Sequence, residues 1–133
     1  MTSPDAAPKR KILGIGILKE SSSEDPAYSP EKVKREVDRE LEKLQEAGFE
    51  FTLYFADSKN TGAALPSIKE LLRGSTWDGV SIGFGIRGAI EYTNLFEDII
   101  NTIVLEVQGP VPKFMFTSST TDIYDAAIRV LGA

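Results

Sequence analysis

Short apolar runs alternate with amphipathic stretches along most of the chain. Four runs are short and rich in β-branched or aromatic residues, which is typical of strands: KILGIGIL (11–18), FEFTLYFAD (49–57), TWDGVSIGFG (76–85) and KFMFTSS (113–119). The first run is almost continuously apolar, which favours a strand covered on both faces. The second alternates apolar and polar residues, which indicates an edge strand with one wetter face.

Helical periodicity occupies the intervals between these runs. A helix is predicted over residues 29–47, because Ser29 is a suitable N-cap, Pro30 suits the first helical position and Gly48 suits the end. Three further helices are predicted, over residues 67–73, 90–107 and 121–131.

Apolar residues cover about half the circumference of the helix predicted over residues 90–107. Contact with one sheet needs only a narrower stripe, about 100° wide. The excess predicts a second contact surface, and two interpretations stay open. The helix pairs with another subunit, so that the protein is a homo-oligomer or a non-catalytic interaction module, or it packs against a neighbouring helix of the same chain.

The order of the elements predicts the fold. Strands and helices alternate as β-α-β-α-β-α-β-α, which implies a parallel sheet with right-handed crossovers. The simplest strand order is 2-1-3-4, in a three-layer α/β/α sandwich of the flavodoxin-like or Rossmann-like kind. Residues 1–9 are predicted to be a disordered tail, and residues 10–133 a single α/β domain, because 133 residues suit one hydrophobic core.

The composition excludes several kinds of chemistry. The chain contains no cysteine and no histidine, so it has no disulfide, thiolate nucleophile, histidine base or Cys/His zinc site. Its net charge is −5 and its basic residues are scattered, which argues against a nucleic-acid partner. No apolar run is long enough to span a membrane, and KRK before ILGIGIL has no signal-peptide cleavage site after it. We expect a cytoplasmic protein, since a chain without cysteine fits the cytosol.

Candidate ligand-binding residues lie in the loops after the first, third and fourth predicted strands. Ligands of open parallel sheets bind beyond the carboxyl ends of the strands, where the direction of winding reverses. In the order 2-1-3-4, that point lies between the first and third strands. The predicted ligand-binding residues are Ser21, Gly85, Arg87, Gly88, Ser118 and Ser119.

The stretch GFGIRG, residues 83–88, favours an anionic ligand. Glycines let backbone amides approach a phosphate, and Arg87 adds a planar donor fork suited to phosphate or carboxylate. The predicted function is therefore binding of a small anionic metabolite or nucleotide in this crevice. The structural alternative is that the glycines let helices pack closely on a central strand, as Gly14 and Gly16 would, and that Arg87 pairs with Glu91.

The same stretch has the letters of the dinucleotide fingerprint, G-x-G-x-x-G, without its context. The fingerprint follows the first strand of its unit and needs an acidic residue at the end of the next strand, where this chain has Ser118 and Ser119. The sequence specifies no cofactor and no metal ligands. If a reaction takes place, Glu91 is the predicted acid or base and Lys19 the predicted electrostatic helper, and the reaction itself is unknown.

The segment WDGVSIGFGIRGAIEYTNLFEDIINTIV, residues 77–104, resembles a group of short α/β proteins. In that group a strand ending G-x-G-x-R leads to a helix with the pattern E…LFE..IN. The matching residues are Gly83, Gly85, Arg87, Glu91, Leu95, Phe96, Glu97, Ile100 and Asn101. The resemblance implies a Rossmann-like fold and carries no established activity. It also implies that Arg87, Glu91, Glu97 and Asn101 form a polar group near the crevice, and a buried structural network would give the same pattern.

Overall fold

The computed structural model describes residues 9–18 and 29–132. Its strands are β1 (Arg10–Leu18), β2 (Phe49–Asp57), β3 (Gly79–Ile82) and β4 (Lys113–Phe116). Its helices are α1 (Pro30–Glu46), α2 (Ala64–Gly74), α3 (Phe84–Arg87), α4 (Thr93–Glu106) and α5 (Ile123–Leu131), and short 3-10 helices cover Thr61–Ala63 and Ile90–Tyr92. Of the tail predicted to be disordered, only Lys9 lies within the described residues.

The four strands form one parallel sheet in the order β2-β1-β3-β4. The predicted fold class, a single-domain α/β fold with the strand order 2-1-3-4, is therefore confirmed. β1 is central, and its Ile12 lies between Phe51 of β2 and Gly79 of β3. The carboxyl ends of β1 and β3 are adjacent, because Gly83, which follows β3, donates its amide to the carbonyl of Ile15 at 2.9 Å.

Two hydrophobic clusters, one on each face of the sheet, produce three layers. On one face, Leu13, Ile15, Val80 and Ile82 pack with the apolar residues of α2 and α4. On the other face, Ile12, Phe49 and Met115 pack with residues of α1 and α5. The sheet is thus covered on both sides, as the apolar sequence of β1 predicts.

A buried carboxylate joins the two helices of the α1–α5 layer. Glu40 of α1 is 3% exposed, and it accepts a hydrogen bond from the backbone amide of Tyr124 at 2.9 Å. Its other oxygen lies 2.6 Å from Nζ of Lys43, one turn further along α1. Because Tyr124 lies in the first turn of α5, Glu40 satisfies an amide that the helix itself leaves without a partner.

Contact with α2 covers part of the broad apolar face of α4, whereas Val104 and Leu105 stay 46% and 80% exposed. Leu95, Ile99 and Ile103 are buried in the same cluster as Ile68 and Leu72 of α2. An ion pair of 3.1 Å between Arg73 and Glu106 joins the ends of the two helices. The second contact surface that the sequence predicts is therefore a helix of the same chain, and self-association through this helix stays a prediction.

The segment between β3 and α4 differs from its predicted form. The strand expected over residues 76–85 has only four residues, and GFGIRG contains the one-turn helix α3. The helix predicted from residue 90 begins at Thr93, after a 3-10 turn over Ile90–Tyr92. Within the described ranges, no helix has the length and apolar character needed to cross a membrane.

Candidate functional site

A cavity of about 350 Å³ opens at the carboxyl ends of β1, β3 and β4, on the side of the sheet that α1 and α5 cover. This is the predicted position, because the order β2-β1-β3-β4 reverses its winding between β1 and β3. The volume lies near the lower end of the range for small-molecule sites, about 300–1,000 Å³. The sequence therefore predicts where the cavity lies, and three of the five described residues predicted to bind a ligand line it: Gly85, Ser118 and Ser119.

Small residues on the central strands leave the space. Residues 12, 14 and 16 of β1 face the α1–α5 layer, because successive side chains of a strand point to opposite faces. Two of these three are Gly14 and Gly16, and Ser81 is the neighbour of Gly14 on β3. On the opposite face, the corresponding positions carry Leu13, Ile15 and Ile17. The layer covered by α1 and α5 is therefore incompletely filled at this end.

Aromatic side chains from β2 lean over the two glycines. A Cβ atom on Gly14 would collide with the ring of Phe51, and one on Gly16 would lie 3.0 Å from the ring of Phe55. The sequence predicted that these glycines let a helix pack closely on the strand, and this is wrong in one respect, because the nearest side chains belong to β2. The glycines make room for side chains of the neighbouring strand, and beyond those for the cavity.

The lining of the cavity is mainly apolar. Its walls are formed by Val33 and Val37 of α1 and by Ile123 of α5. At its edge lie three large apolar side chains that remain exposed to solvent: Leu18 at 55%, Phe55 at 37% and Phe84 at 47%. No charged side chain belongs to the lining that the described residues provide. The described lining therefore offers a bound molecule mainly apolar surface.

Two buried hydroxyl groups also line the cavity. Ser81 and Thr117 are each 4% exposed. Neither side-chain hydroxyl has a hydrogen-bond partner within residues 9–18 and 29–132. Every fully enclosed side-chain oxygen in these ranges has a hydrogen-bond partner. The two unpaired hydroxyls are therefore not fully enclosed, and their accessible surface opens into the cavity that they line. Sequence analysis missed both residues, although a serine within the apolar strand GVSI is a recognisable signal.

The loop after β4, which carries the predicted ligand-binding residues Ser118 and Ser119, is closed by a side chain of the protein. The carboxylate of Asp122 accepts hydrogen bonds from the amides of Ser118 and Ser119, at 2.9 Å and 3.1 Å. The hydroxyl of Ser119 bonds to that of Thr121. Ser118 and Ser119 do line the cavity, as predicted, but their amides hold a negative charge of the chain itself.

Arg87 lies beside the cavity rather than in its lining. Its guanidinium donates to the backbone carbonyl of Thr117 at 3.2 Å and lies over the rings of Phe84 and Phe116, at 5.0 and 5.7 Å from their centroids. The alternative pairing with Glu91 is not among the ion pairs found between described residues. Arg87 is exposed, so its remaining donors face solvent.

Three of the six amides of GFGIRG are used within the turn itself. Ile86 and Arg87 donate to the carbonyl of Gly83, and Gly88 donates to that of Phe84. Gly83 and Gly85 line the cavity, and a Cβ on Gly85 would lie 3.2 Å from the side chain of Ile17. No residue of this turn has a positive φ angle. The glycines therefore provide space near β1 rather than an unusual backbone conformation.

Of the two predicted catalytic residues, only Glu91 lies within the described residues. Glu91 is exposed in the 3-10 turn before α4 and does not line the cavity. Lys19 and the predicted ligand-binding residue Ser21 lie outside the described residues. Glu97 and Asn101, which the resemblance places near the crevice, are exposed on α4. Neither has a hydrogen bond or ion pair with Arg87 in the described part of the chain.

The described residues contain no group of three or more acidic side chains that could hold a metal ion. Comparison of the chain with protein-family models, with curated proteins and with solved structures found no match. The cavity and its lining are therefore the features from which a function is inferred.

Proposed function

We propose that the protein binds a small molecule with an uncharged, ring-sized apolar body in the cavity at the carboxyl ends of β1, β3 and β4. The observation that carries the proposal is the combination of an apolar lining with exposed apolar side chains at the edge. Leu18, Phe55 and Phe84 would each lose contact with water when a ligand covers them. Burial of apolar area contributes about 25 cal/mol per Å².

The anionic metabolite or nucleotide predicted from the sequence has less support than an uncharged ligand. The described lining contains no cation, and a carboxylate, that of Asp122, lies behind the amides of Ser118 and Ser119. A phosphate buried there would lose its hydration without gaining a paired charge from the described residues. Among these residues, Arg87 offers a cation beside the cavity rather than in it.

A screen of neutral heteroaromatic fragments by ligand-observed NMR tests the proposal. Val33→Phe inserts a ring into the cavity from α1, and Arg35→Phe adds the same ring to an exposed position of the same helix. We expect hits with the unmodified protein and with Arg35→Phe, and loss of most of them with Val33→Phe. Hits that bind equally to all three proteins, or the absence of hits, would contradict the proposal.

A further inference from the structure

The hydroxyls of Ser81 and Thr117 belong to one face of two neighbouring strands. Ser81 pairs with Met115 in the register of β3 and β4, and Thr117 lies two residues beyond Met115. A separation of two residues keeps a side chain on the same face of the sheet. Both hydroxyls therefore approach the cavity from its β3–β4 side. They are offset by two residues along the strands, which is the spacing between neighbouring side chains on one face.

Both hydroxyls belong to residues that are only 4% exposed and have no partner in the described chain, so their hydrogen bonds must be made through the surface that opens into the cavity. A polar group that is withdrawn from water loses its hydrogen bonds to the solvent and must recover them elsewhere. Alanine and valine would occupy the same two positions without this loss. The remaining partner is a group within the cavity, which is either water or the polar part of a ligand.

The charges around the two hydroxyls select an uncharged partner. Glu36 bonds to the hydroxyl of Thr120 at 2.9 Å, and Asp122 holds the amides of the preceding loop residues. Arg87 is engaged with the carbonyl of Thr117. An acceptor with two lone pairs and no net charge, such as the carbonyl oxygen of a ring amide, can accept from both hydroxyls without approaching these carboxylates as an anion.

We propose that Ser81 and Thr117 form a polar subsite that binds a carbonyl oxygen on an otherwise apolar ring. The ligands are thus cyclic amides, ketones or related heterocycles that lie against Phe51 and Phe55. The inference rests on the proposed function, because it assigns a substrate class to the same cavity. It also orients the ligand, since its carbonyl faces β3 and β4 and its apolar edge faces β2.

Three bicyclic probes of similar size separate the alternatives: 2-quinolinone, which has a ring carbonyl, quinoline, which lacks it, and quinoline-2-carboxylate, which is anionic. Their dissociation constants are measured by NMR titration with the unmodified protein and with Ser81→Ala, Thr117→Val and the double variant. We expect 2-quinolinone to bind about tenfold more tightly than quinoline, because its carbonyl oxygen can accept from both hydroxyls, whereas the ring nitrogen of quinoline has a single lone pair. We expect this preference to fall with each substitution and to disappear in the double variant.

Two further variants serve as controls. Thr93→Val removes a hydroxyl that bonds to the carbonyl of Ile90 on the other side of the sheet, and it is expected to leave the preference unchanged. Thr117→Ser keeps a hydroxyl in a smaller side chain, and it is expected to retain the preference even if Thr117→Val folds poorly.

The outcomes distinguish the inference from the function on which it rests. Equal binding of quinoline and 2-quinolinone, a preference that survives the double variant, or tightest binding of the carboxylate would each overturn the subsite. The cavity would still be a ligand site in those cases, provided that Val33→Phe abolishes binding. If no probe binds, or if Val33→Phe binds all of them unchanged, both proposals are wrong.

Discussion

The two glycines of β1 have the same position relative to the sheet but different neighbours. The ring that covers Gly14 belongs to Phe51, which packs against the hydrophobic cluster of α1 and α5. The ring that covers Gly16 belongs to Phe55, which lies at the edge of the cavity and is partly exposed. A side chain added at the first position must therefore displace a packed ring, whereas one added at the second can push a ring into solvent.

We expect Gly14→Val to lower the free energy of unfolding by about 1–3 kcal/mol, the usual cost of overpacking a core. Gly16→Val, the matched substitution on the same strand and face, is expected to cost less. Urea denaturation of both variants measures the difference. Equal losses would show that the ring of Phe51 moves as freely as that of Phe55.

Arg87 provides a second test at the level of a single residue. Arg87→Gln removes the guanidinium that donates to the carbonyl of Thr117, and we expect a loss of about 0.5–1.5 kcal/mol in the free energy of unfolding. Binding of neutral ring compounds is expected to be unchanged. A tenfold loss of affinity confined to anionic compounds in NMR titrations would instead support the anion site predicted from GFGIRG.

At the level of secondary structure, α1 and α5 are held together by more than apolar packing. Glu40 bonds to the amide of Tyr124, and Glu36 bonds to the hydroxyl of Thr120 in the loop before α5. Both carboxylates lie on the side of α1 that faces α5. Because Thr120 and Ile123 also line the cavity, the position of α1 determines the shape of the site.

Glu40→Ala leaves the amide of Tyr124 without its acceptor, and we expect it to lower the free energy of unfolding by about 1–3 kcal/mol. Glu40→Gln keeps an acceptor oxygen and is expected to lose less. Glu42→Ala, at an exposed position of the same helix, is the matched control and should change stability little. Thermal and urea denaturation of the three variants test this order. An equal loss of stability in Glu42→Ala and Glu40→Ala would contradict it.

The pair of Glu40 and Lys43 predicts a pH dependence. The hydrogen bond from Lys43 to Glu40 raises the pKa of the Lys43 ammonium group above its ordinary value of 10.5, against a smaller lowering by burial. A group with a raised pKa in the folded state stabilises the fold fully below the pKa of the unfolded state. This contribution is lost as the pH rises through the pKa of the folded state.

We therefore expect the stability difference between the unmodified protein and Lys43→Met to be constant from neutral pH to about pH 10, and to shrink at higher pH. Urea denaturation at a series of pH values measures the difference. Lys34→Met, which breaks an exposed pair with Asp38, controls for the general effect of removing a surface lysine. A difference that grows above pH 10 would contradict the assignment.

At the level of the whole molecule, the two faces of the sheet are filled unequally. The face covered by α2 and α4 carries large aliphatic side chains along β1 and β3, whereas the other face carries Gly14, Gly16 and Ser81 near the carboxyl ends. This asymmetry leaves space for a ligand on the side of the sheet that α1 and α5 cover. The sheet order determines at which end of the molecule this space lies.

The strand order and the position of the site follow from the sequence because they depend on patterns that repeat over many residues. The alternation of strands and helices predicts the sheet, and the order 2-1-3-4 predicts where the winding reverses. The one-turn helix α3 is not predictable in this way, since four residues are too few to show helical periodicity. The backbone amides of this turn donate to the carbonyls of Gly83 and Phe84. In this conformation the side chain of Arg87 lies against Thr117 instead of in the cavity.

The chemistry of the lining depends on side chains that are distant in sequence. The character of the cavity comes from Val33 on α1, Phe55 on β2 and Thr117 after β4, which no local motif connects. The role of Asp122 likewise depends on a turn whose amides it accepts. Sequence analysis could identify the glycines and hydroxyls, but not that a carboxylate of the protein accepts from the amides of Ser118 and Ser119.

Thr117 has one polar group on each side: its hydroxyl faces the cavity, while its carbonyl oxygen accepts from the guanidinium of Arg87 on the neighbouring rim. Because both groups belong to one residue, a molecule that binds the hydroxyl and displaces Thr117 slightly would also change the surroundings of the guanidinium. The N–H resonances of Arg87 would then report occupancy from outside the cavity. They should move on titration with a carbonyl compound and stay in place when Thr117 is replaced by valine.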